Sequence, residues 1–208
     1  MSAPAASGGR AAVSPATVRD AATTLFAEKG YHGTALSEVA AQLGVRTPSL
    51  YNHMRSKQEL LQDILLATSR RVWSDFEAAV QGHDDVVDRL RDAARVYALR
   101  HATHRREALI VNRDVASLEE PVLSQVLELR RQHEGAVRGL IQEGVDQGVF
   151  IVDSPRVASF GVLEMCVSVA RWFRPDGALS AEQVAEQYSE FALRLAGHRA
   201  VGEGLSGA

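Results

Sequence analysis

A short segment from Arg46 to Lys57 concentrates side chains that can form specific hydrogen bonds. It carries hydroxyl, amide, imidazole and cationic groups in the order RTPSLYNHMRSK. Enzymatic catalysis would need a nucleophile beside a base, or a constellation of metal ligands, and this segment has neither arrangement. Donors and acceptors grouped in this way suit contacts with base edges and phosphate oxygens instead. The segment therefore predicts a nucleic-acid contact, provided that a helix presents it.

The residues from Thr34 to Gly44 predict a helix just before this segment. Thr34 can cap the helix with its hydroxyl group, and Gly44 supplies the left-handed conformation at which such a helix ends. The apolar residues of this stretch fall on one helix face: Leu36, Val39, Ala40 and Leu43.

A second helix is predicted from Pro48 to about Met54. Thr47 is its expected cap, and proline in the first turn gives up no needed donor. Ser56 and Glu59 then form a capping-box pattern that opens a third helix. Two helices joined by a glycine-containing turn of this size make a helix-turn-helix. The second helix of such a pair lies in the major groove of DNA and presents its N-terminal residues to base edges.

Residues at fixed positions between Ala21 and Leu61 match a known family pattern: Phe26, Gly30, Tyr31, Thr34, Val39, Ala40, Gly44, Val45, Leu50, Tyr51, His53 and Lys57. On these residues the chain resembles the DNA-binding domain of TetR-family transcriptional repressors. The resemblance implies operator contacts at eight positions: Ser37, Thr47, Pro48, Ser49, Tyr51, Asn52, His53 and Lys57. The chain departs from the pattern at Ala35, where serine or threonine often stands, so a phosphate contact is not expected there.

A ninth DNA contact is predicted at Arg46, because its positive charge flanks the second helix in the same way as that of Lys57. Simpler roles remain open for some of these residues. Thr47 can serve only as a helix cap, Tyr51 can pack against the preceding helix, and His53 can be an ordinary surface histidine.

Length and composition agree with a small regulator. The chain has 208 residues, of which 46% are hydrophobic, and this suffices for a small DNA-binding module and a helical body with its own core. The net charge of −3 is unevenly distributed: residues 1–60 carry 6 Lys+Arg against 4 Asp+Glu, and the remainder carries 17 against 22. The protein is not expected to be an enzyme, since no catalytic constellation accompanies the motif.

Cysteine content and hydropathy bear on the cellular compartment. Cys166 is the only cysteine, so no intramolecular disulfide can form and a reducing compartment is expected. No apolar run reaches the roughly 18 residues of a membrane span. The N-terminus also lacks the apolar core of a signal peptide. These features predict a cytoplasmic protein without a membrane partner.

The chain is predicted to be all-α, with about nine helices. Residues 1–13 and 199–208 are rich in small residues and are expected to be disordered. Residues 14–56 are assigned to the helix-turn-helix domain, and residues 57–198 to a helical domain for ligand binding and dimerisation. Breaks in the helical pattern of this second part predict six helices at residues 57–80, 86–102, 105–114, 122–147, 155–173 and 181–197.

The last two helices carry more apolar surface than one core requires, which predicts a homodimer. The predicted interface residues are Val157, Phe160, Val167, Val184, Tyr188 and Phe191. A two-fold dimer would place two recognition helices roughly 34 Å apart on a pseudo-palindromic operator. The alternative is that these helices form only the interior of a monomer.

The family resemblance also implies that the middle helices surround a small hydrophobic effector, with these candidate ligand-binding residues: Trp73, Phe76, Tyr97, His101, Leu109, Asn112 and His133. Plain core packing is the alternative for the aromatic members.

His101 and His104 can share a helix face, but no further ligand follows at a persuasive spacing, so neither a metal site nor a cofactor is predicted. Glu164 lies within an apolar helix and needs a partner, either at an interface or in a pocket. An effector is expected to act by shifting the helix that begins at Lys57.

A finer resemblance concerns the class of effector. The segment ARWFRPDGALS, residues 170–180, and the region 129–150 are similar to parts of TetR-type repressors that control fatty-acid and sterol breakdown. Members of that group respond to acyl-CoA thioesters, which makes an acyl-CoA the implied effector and Arg130, Arg131 and Arg138 candidate partners for its phosphates. A neutral drug or metabolite, acting on a repressor of an efflux or catabolic gene, is the alternative. A small helical enzyme or a protein-binding adaptor are more remote alternatives.

Overall fold

The computed structural model describes residues 13–198, and these residues form nine α-helices and no strand. The helices are α1 Pro15–Lys29, α2 Leu36–Leu43, α3 Thr47–Leu50, α4 Lys57–Val80, α5 Val86–Thr103, α6 Arg105–Arg113, α7 Val122–Asp146, α8 Pro155–Trp172 and α9 Ala181–Leu195. The predicted all-α class is confirmed. The arm at residues 1–13 and the tail at 199–208, predicted to be disordered, lie outside the described residues except for Val13.

The cap predicted for α2 is wrong. Thr34 is buried, and its hydroxyl group lies 2.9 Å from the carbonyl oxygen of Gly30 and 3.2 Å from that of Leu25, so it ties the loop back to α1 instead of capping α2. The carboxylate of Glu38 caps the start of α2 instead, because it accepts a hydrogen bond of 2.8 Å from the backbone N–H of Ala35. The predicted end of α2 is confirmed, since Gly44 has φ 67° and ψ 35°.

The α3 helix is shorter than predicted and begins one residue earlier. Thr47 is its first residue rather than its cap, and the residue at the cap position, Arg46, makes no side-chain capping bond within the described residues. After Leu50 the chain continues through turns in which each N–H bonds three residues back, up to the 2.8 Å bond from His53 N–H to the Leu50 carbonyl oxygen. The predicted cap of α4 is confirmed, because the Ser56 hydroxyl oxygen accepts a 3.0 Å bond from the N–H of Glu59.

The first three helices pack around one apolar cluster that they share with the rest of the chain. Phe26, Leu50 and Leu61 are fully buried in it, and so is Ile110 from α6. A second cluster fills the body between α4, α5, α7, α8 and α9, and α5 contacts all four of the other helices. The long α4 belongs to both clusters, which makes it a continuous connection between the first three helices and the body.

Replacing either of two glycines on α7 by alanine is expected to change the stability in opposite directions. A Cβ atom on buried Gly144 would lie 2.0 Å from the ring of Phe150, which is itself buried, whereas a Cβ on Gly139 would meet nothing within 4 Å. We expect Gly144→Ala to lower the free energy of unfolding by about 1 to 3 kcal/mol through overpacking. Gly139→Ala should raise it by about 0.5 to 1 kcal/mol through helix propensity. Urea denaturation at equal protein concentration tests both, and equal shifts in the two variants would contradict the packing argument.

Candidate DNA-binding surface and effector cavity

The α3 region presents polar side chains to solvent, and buried apolar side chains fix it to the core. Leu50 is fully buried and Met54 is 6% exposed, whereas the side chain between them in the turn, Tyr51, is 55% exposed. None of the nine residues predicted to contact DNA is buried: Ser37, Arg46, Pro48, Tyr51 and Asn52 are exposed, and Thr47, Ser49, His53 and Lys57 are half-buried. Seven of them lie on α3 and its immediate flanks, Ser37 lies on α2, and Lys57 begins α4. The arrangement can present hydroxyl, amide and imidazole groups to a groove while two apolar side chains hold the helix in place.

The ammonium group of Lys57 is partly buried against an aromatic ring. Its ammonium nitrogen lies 4.3 Å from the centre of the Tyr31 ring, which is a cation–π contact. Burial lowers the pKa of Lys57, and the carboxylates of Asp114 and Glu38 oppose that shift. The half-buried cation therefore stands at the N-terminus of α4, held against an aromatic ring of the first cluster.

The α6 helix is tied to α1 by two arginines. Arg106 pairs with Asp20 at 2.9 Å and donates to the Thr24 hydroxyl at 2.7 Å. Arg113 donates to the carbonyl oxygens of Phe26 and Ala27 in the last turn of α1, where a cation is favoured. No local pattern signalled these bonds, because the partners are more than 80 residues apart.

A cavity of about 260 Å³ lies in the body between α4, α5, α6, α7 and α8. Four of the seven residues predicted to bind ligand line it: Tyr97, His101, Asn112 and His133. The other three do not line this cavity. Trp73 stacks on Phe76 at 5.5 Å between ring centroids, and both belong to the second apolar cluster. Leu109 lies off the cavity because its neighbours Ala108 and Val111 occupy the helix face that lines it.

An aromatic group forms one wall of the cavity. The Tyr97 ring lies 4.4 Å from the His101 ring and 4.8 Å from the His133 ring, in edge-to-face contacts. The Nδ1 atom of His101 lies 2.8 Å from the backbone carbonyl oxygen of Tyr97. Burial lowers the pKa of both histidines to about 4, so both are neutral near pH 7.

Sequence reasoning named residues of α4, α7 and α8 for the cavity but missed a polar residue of its wall. Ser69 on α4 lines it, and the buried hydroxyl oxygen of this residue has no hydrogen-bond partner within residues 13–198. Glu164 also lines it, which favours the pocket role over the interface role. Of the three arginines, only Arg130 lines the cavity; Arg131 pairs with Glu128 and Arg138 lies 3.7 Å from Glu134.

Arg130 is a half-buried cation at the cavity wall. Its guanidinium donates to the carbonyl oxygen of Val111, and it forms no ion pair with any residue that the structure describes. Burial lowers its pKa, and the nearby Tyr97 and Glu164 oppose the shift. No group of three His, Cys, Asp or Glu side chains within the described part of the chain could hold a metal ion.

Exposed apolar side chains cluster on α8 and α9. Val157 is 70% exposed, Phe160 46% and Phe191 42%, and half-buried Tyr188 accepts a 3.2 Å hydrogen bond from the indole N–H of Trp172. Val167 and Val184, which were also predicted at the interface, are already buried within their own chain. No helix of the described residues is long and apolar enough to cross a membrane.

Comparison with known proteins assigns both parts of the chain to the same family. Residues 18–64 match the family model for bacterial regulatory proteins of the tetR family, and residues 83–196 match that for the tetracyclin repressor-like C-terminal domain. The HTH-type transcriptional repressor KstR2 of Mycobacterium tuberculosis is 28% identical over 177 residues, which cover 83% of this chain and 87% of KstR2.

Solved structures give the same result. The TetR family transcriptional regulator PfmR from Thermus thermophilus is 32% identical, with a TM-score of 0.76 over 85% of this chain and 97% of PfmR. AibR, solved in complex with isovaleryl coenzyme A and operator DNA, shares the fold with a TM-score of 0.77 at 24% identity, over 89% of this chain and 99% of AibR. The chain belongs to the TetR family of bacterial transcriptional regulators.

Proposed function

We propose that the protein is a transcriptional repressor that binds a pseudo-palindromic operator as a homodimer and leaves it when a small effector enters the cavity. The observation that carries this proposal is that α4 and α6 each contact both parts of the molecule. On α4, Leu61 lies in the first apolar cluster while Ser69 lines the cavity. On α6, Val111 lines the cavity while Arg113 holds α1. A change at the cavity therefore has two direct routes to the DNA-binding helices.

On the DNA side, the proposal assigns base contacts to the exposed residues of α3 and its following turn. Tyr51 and Asn52 are the leading candidates, since both are exposed and neither is needed for the core. Arg46 and Lys57 are assigned to the phosphate backbone, where position along the duplex is set without sequence preference.

On the effector side, an acyl-CoA thioester is the proposed ligand. A cavity of about 260 Å³ has room for an acyl chain or a compact ring system, and the nucleotide part of coenzyme A would remain outside it. Arg130 supplies a donor at the wall for the thioester carbonyl oxygen or another ligand oxygen. The isovaleryl coenzyme A bound to AibR and the similarity of residues 129–150 and 170–180 to repressors of fatty-acid and sterol breakdown support this choice.

The effector works only through its different affinity for two conformers of the dimer. A coupling of about 1 to 3 kcal/mol would weaken operator binding roughly 5- to 150-fold when the cavity is filled. The proposed movement is a shift of α4 and α6 that changes the separation of the two α3 helices.

A fluorescence anisotropy titration tests this function. The protein is titrated against the intergenic DNA upstream of its own gene, with an unrelated duplex of equal length as competitor, and octanoyl-CoA is then added to the complex. We expect binding that survives the competitor and is weakened roughly 5- to 150-fold by the thioester. If the unrelated duplex displaces the protein from the upstream DNA, the operator lies in another part of the genome. Release by a neutral hydrophobic compound and not by the thioester would favour the drug or metabolite alternative.

A cavity-filling variant provides the matched control. Leu163→Trp places a large side chain at the cavity wall, and Leu127→Trp adds the same ring at an exposed position on α7. Both variants should bind the operator, but only Leu163→Trp should resist release. Equal release from both would place the effector in another part of the protein.

A further inference from the structure

The cavity contains a hydrogen-bond acceptor that no residue within 13–198 satisfies. His101 is 4% exposed and lines the cavity. Its Nδ1 atom lies 2.8 Å from the Tyr97 carbonyl oxygen, and a carbonyl oxygen can only accept a hydrogen bond. Nδ1 must therefore carry the proton, and in a neutral imidazole the other nitrogen, Nε2, is then a bare acceptor.

The neutral state of His101 follows from its surroundings. Burial dominates, and the nearby Arg100 further disfavours a second positive charge, so the pKa of His101 falls to about 4. The Tyr97 ring packs edge-to-face against the imidazole and restrains its orientation. No residue that the structure describes donates a hydrogen bond to Nε2.

Donors lie elsewhere on the wall of the same cavity. Arg130 is cationic and has no ion-pair partner within residues 13–198, and Ser69 has a buried hydroxyl group without a partner there. His133 is also buried and forms no hydrogen bond with the described residues. The polar wall thus offers both an acceptor and donors, which is the pattern that a ligand hydroxyl group satisfies, because its oxygen donates one hydrogen bond and accepts others.

We infer that the cavity selects effectors whose apolar part carries a hydroxyl group, and that His101 Nε2 accepts the hydrogen bond from it. This inference rests on the proposed function, and it narrows the effector to hydroxylated acyl groups. Binding of a ligand without the hydroxyl group would leave a buried acceptor unpaired. A site built around such an acceptor rejects the analogue that lacks the donor, and a factor of roughly 10 to 100 in affinity is expected.

Isothermal titration calorimetry on the full-length protein without DNA tests the inference. The probes are octanoyl-CoA, 3-hydroxyoctanoyl-CoA and 8-hydroxyoctanoyl-CoA, which place the hydroxyl group at either end of the same chain. We expect at least one hydroxylated thioester to bind roughly 10- to 100-fold more tightly than octanoyl-CoA. His101→Phe keeps a ring against Tyr97 but removes the acceptor, so it should abolish the preference while octanoyl-CoA still binds.

Two further variants separate this role from a structural one. His104→Phe changes an exposed histidine of the same cavity and should keep the preference. His101→Gln restores an acceptor oxygen and should recover part of it. Equal affinities for all three thioesters in the unchanged protein would overturn the inference and leave the acyl-CoA proposal standing. Binding of none of them would overturn both, and operator binding measured separately would remain as the DNA-binding function.

Discussion

The double variant Val157→Glu, Phe191→Glu is expected to be a monomer that binds the full operator roughly 100- to 10,000-fold more weakly. Both side chains are exposed apolar groups on the last two helices, at 70% and 42% exposure, so the substitutions leave the core of each chain intact. In a two-fold dimer the glutamates of both subunits would bring like charges into the interface. The loss of affinity follows because each α3 helix would then bind its half-site without the gain in effective concentration that a dimer provides.

Analytical ultracentrifugation and anisotropy together check this prediction. The matched control is Leu127→Glu, which adds the same charge at an exposed leucine on α7 and should leave both mass and affinity unchanged. A double variant that remains dimeric would show that the interface lies on another surface. A monomer that keeps full operator affinity would contradict the role of dimerisation in DNA binding.

The second large effect is expected from Tyr51→Ala combined with Asn52→Ala. Each good base contact contributes about 1 to 3 kcal/mol of discrimination, so the pair should lower operator affinity roughly 30- to 20,000-fold. Binding to an unrelated duplex should fall much less, because backbone contacts from Arg46 and Lys57 are independent of sequence. The thermal midpoint should hardly change, since both side chains are exposed.

Anisotropy titrations over a series of salt concentrations separate the two kinds of contact. Arg46→Ala serves as the comparison. Loss of a phosphate contact should weaken binding to operator and unrelated DNA alike, and it should reduce the slope of log affinity against log salt concentration by about one. If the Tyr51 and Asn52 changes weaken both duplexes equally, these residues contact the backbone and another part of α3 reads the bases.

Local patterns predicted the helices well because caps and glycine turns are decided by neighbours in sequence. Gly44 adopts the left-handed conformation that its position implied, and Ser56 caps α4. Thr34 and Thr47 were assigned as caps for the same reason, but a hydroxyl group before a helix does not reveal whether another helix buries it. The Thr34 hydroxyl group instead donates to carbonyl oxygens at the end of α1, and this tertiary contact is not encoded in the local pattern.

The cavity was only half predictable. Tyr97 and His133 were found because they are large or polar groups on helices of the body, whereas Trp73 and Phe76 have the same character and pack against each other in the core. The difference depends on how each helix is rotated relative to its neighbours, and a single sequence carries no direct record of that rotation. Arg130 was named for its charge alone, and only the packing of α7 distinguishes it from Arg131.

The bonds between α6 and α1 also limit how this regulator can be re-engineered. Exchanging residues 1–56 for those of another family member would remove the side chains of Asp20 and Thr24 that Arg106 binds, and would leave Ile110 against a foreign core. A hybrid of that kind needs a matching α6 as well, although α6 lies some 50 residues further along the chain. New operator specificity is therefore better sought by changing the exposed side chains of α3 than by transplanting the N-terminal helices.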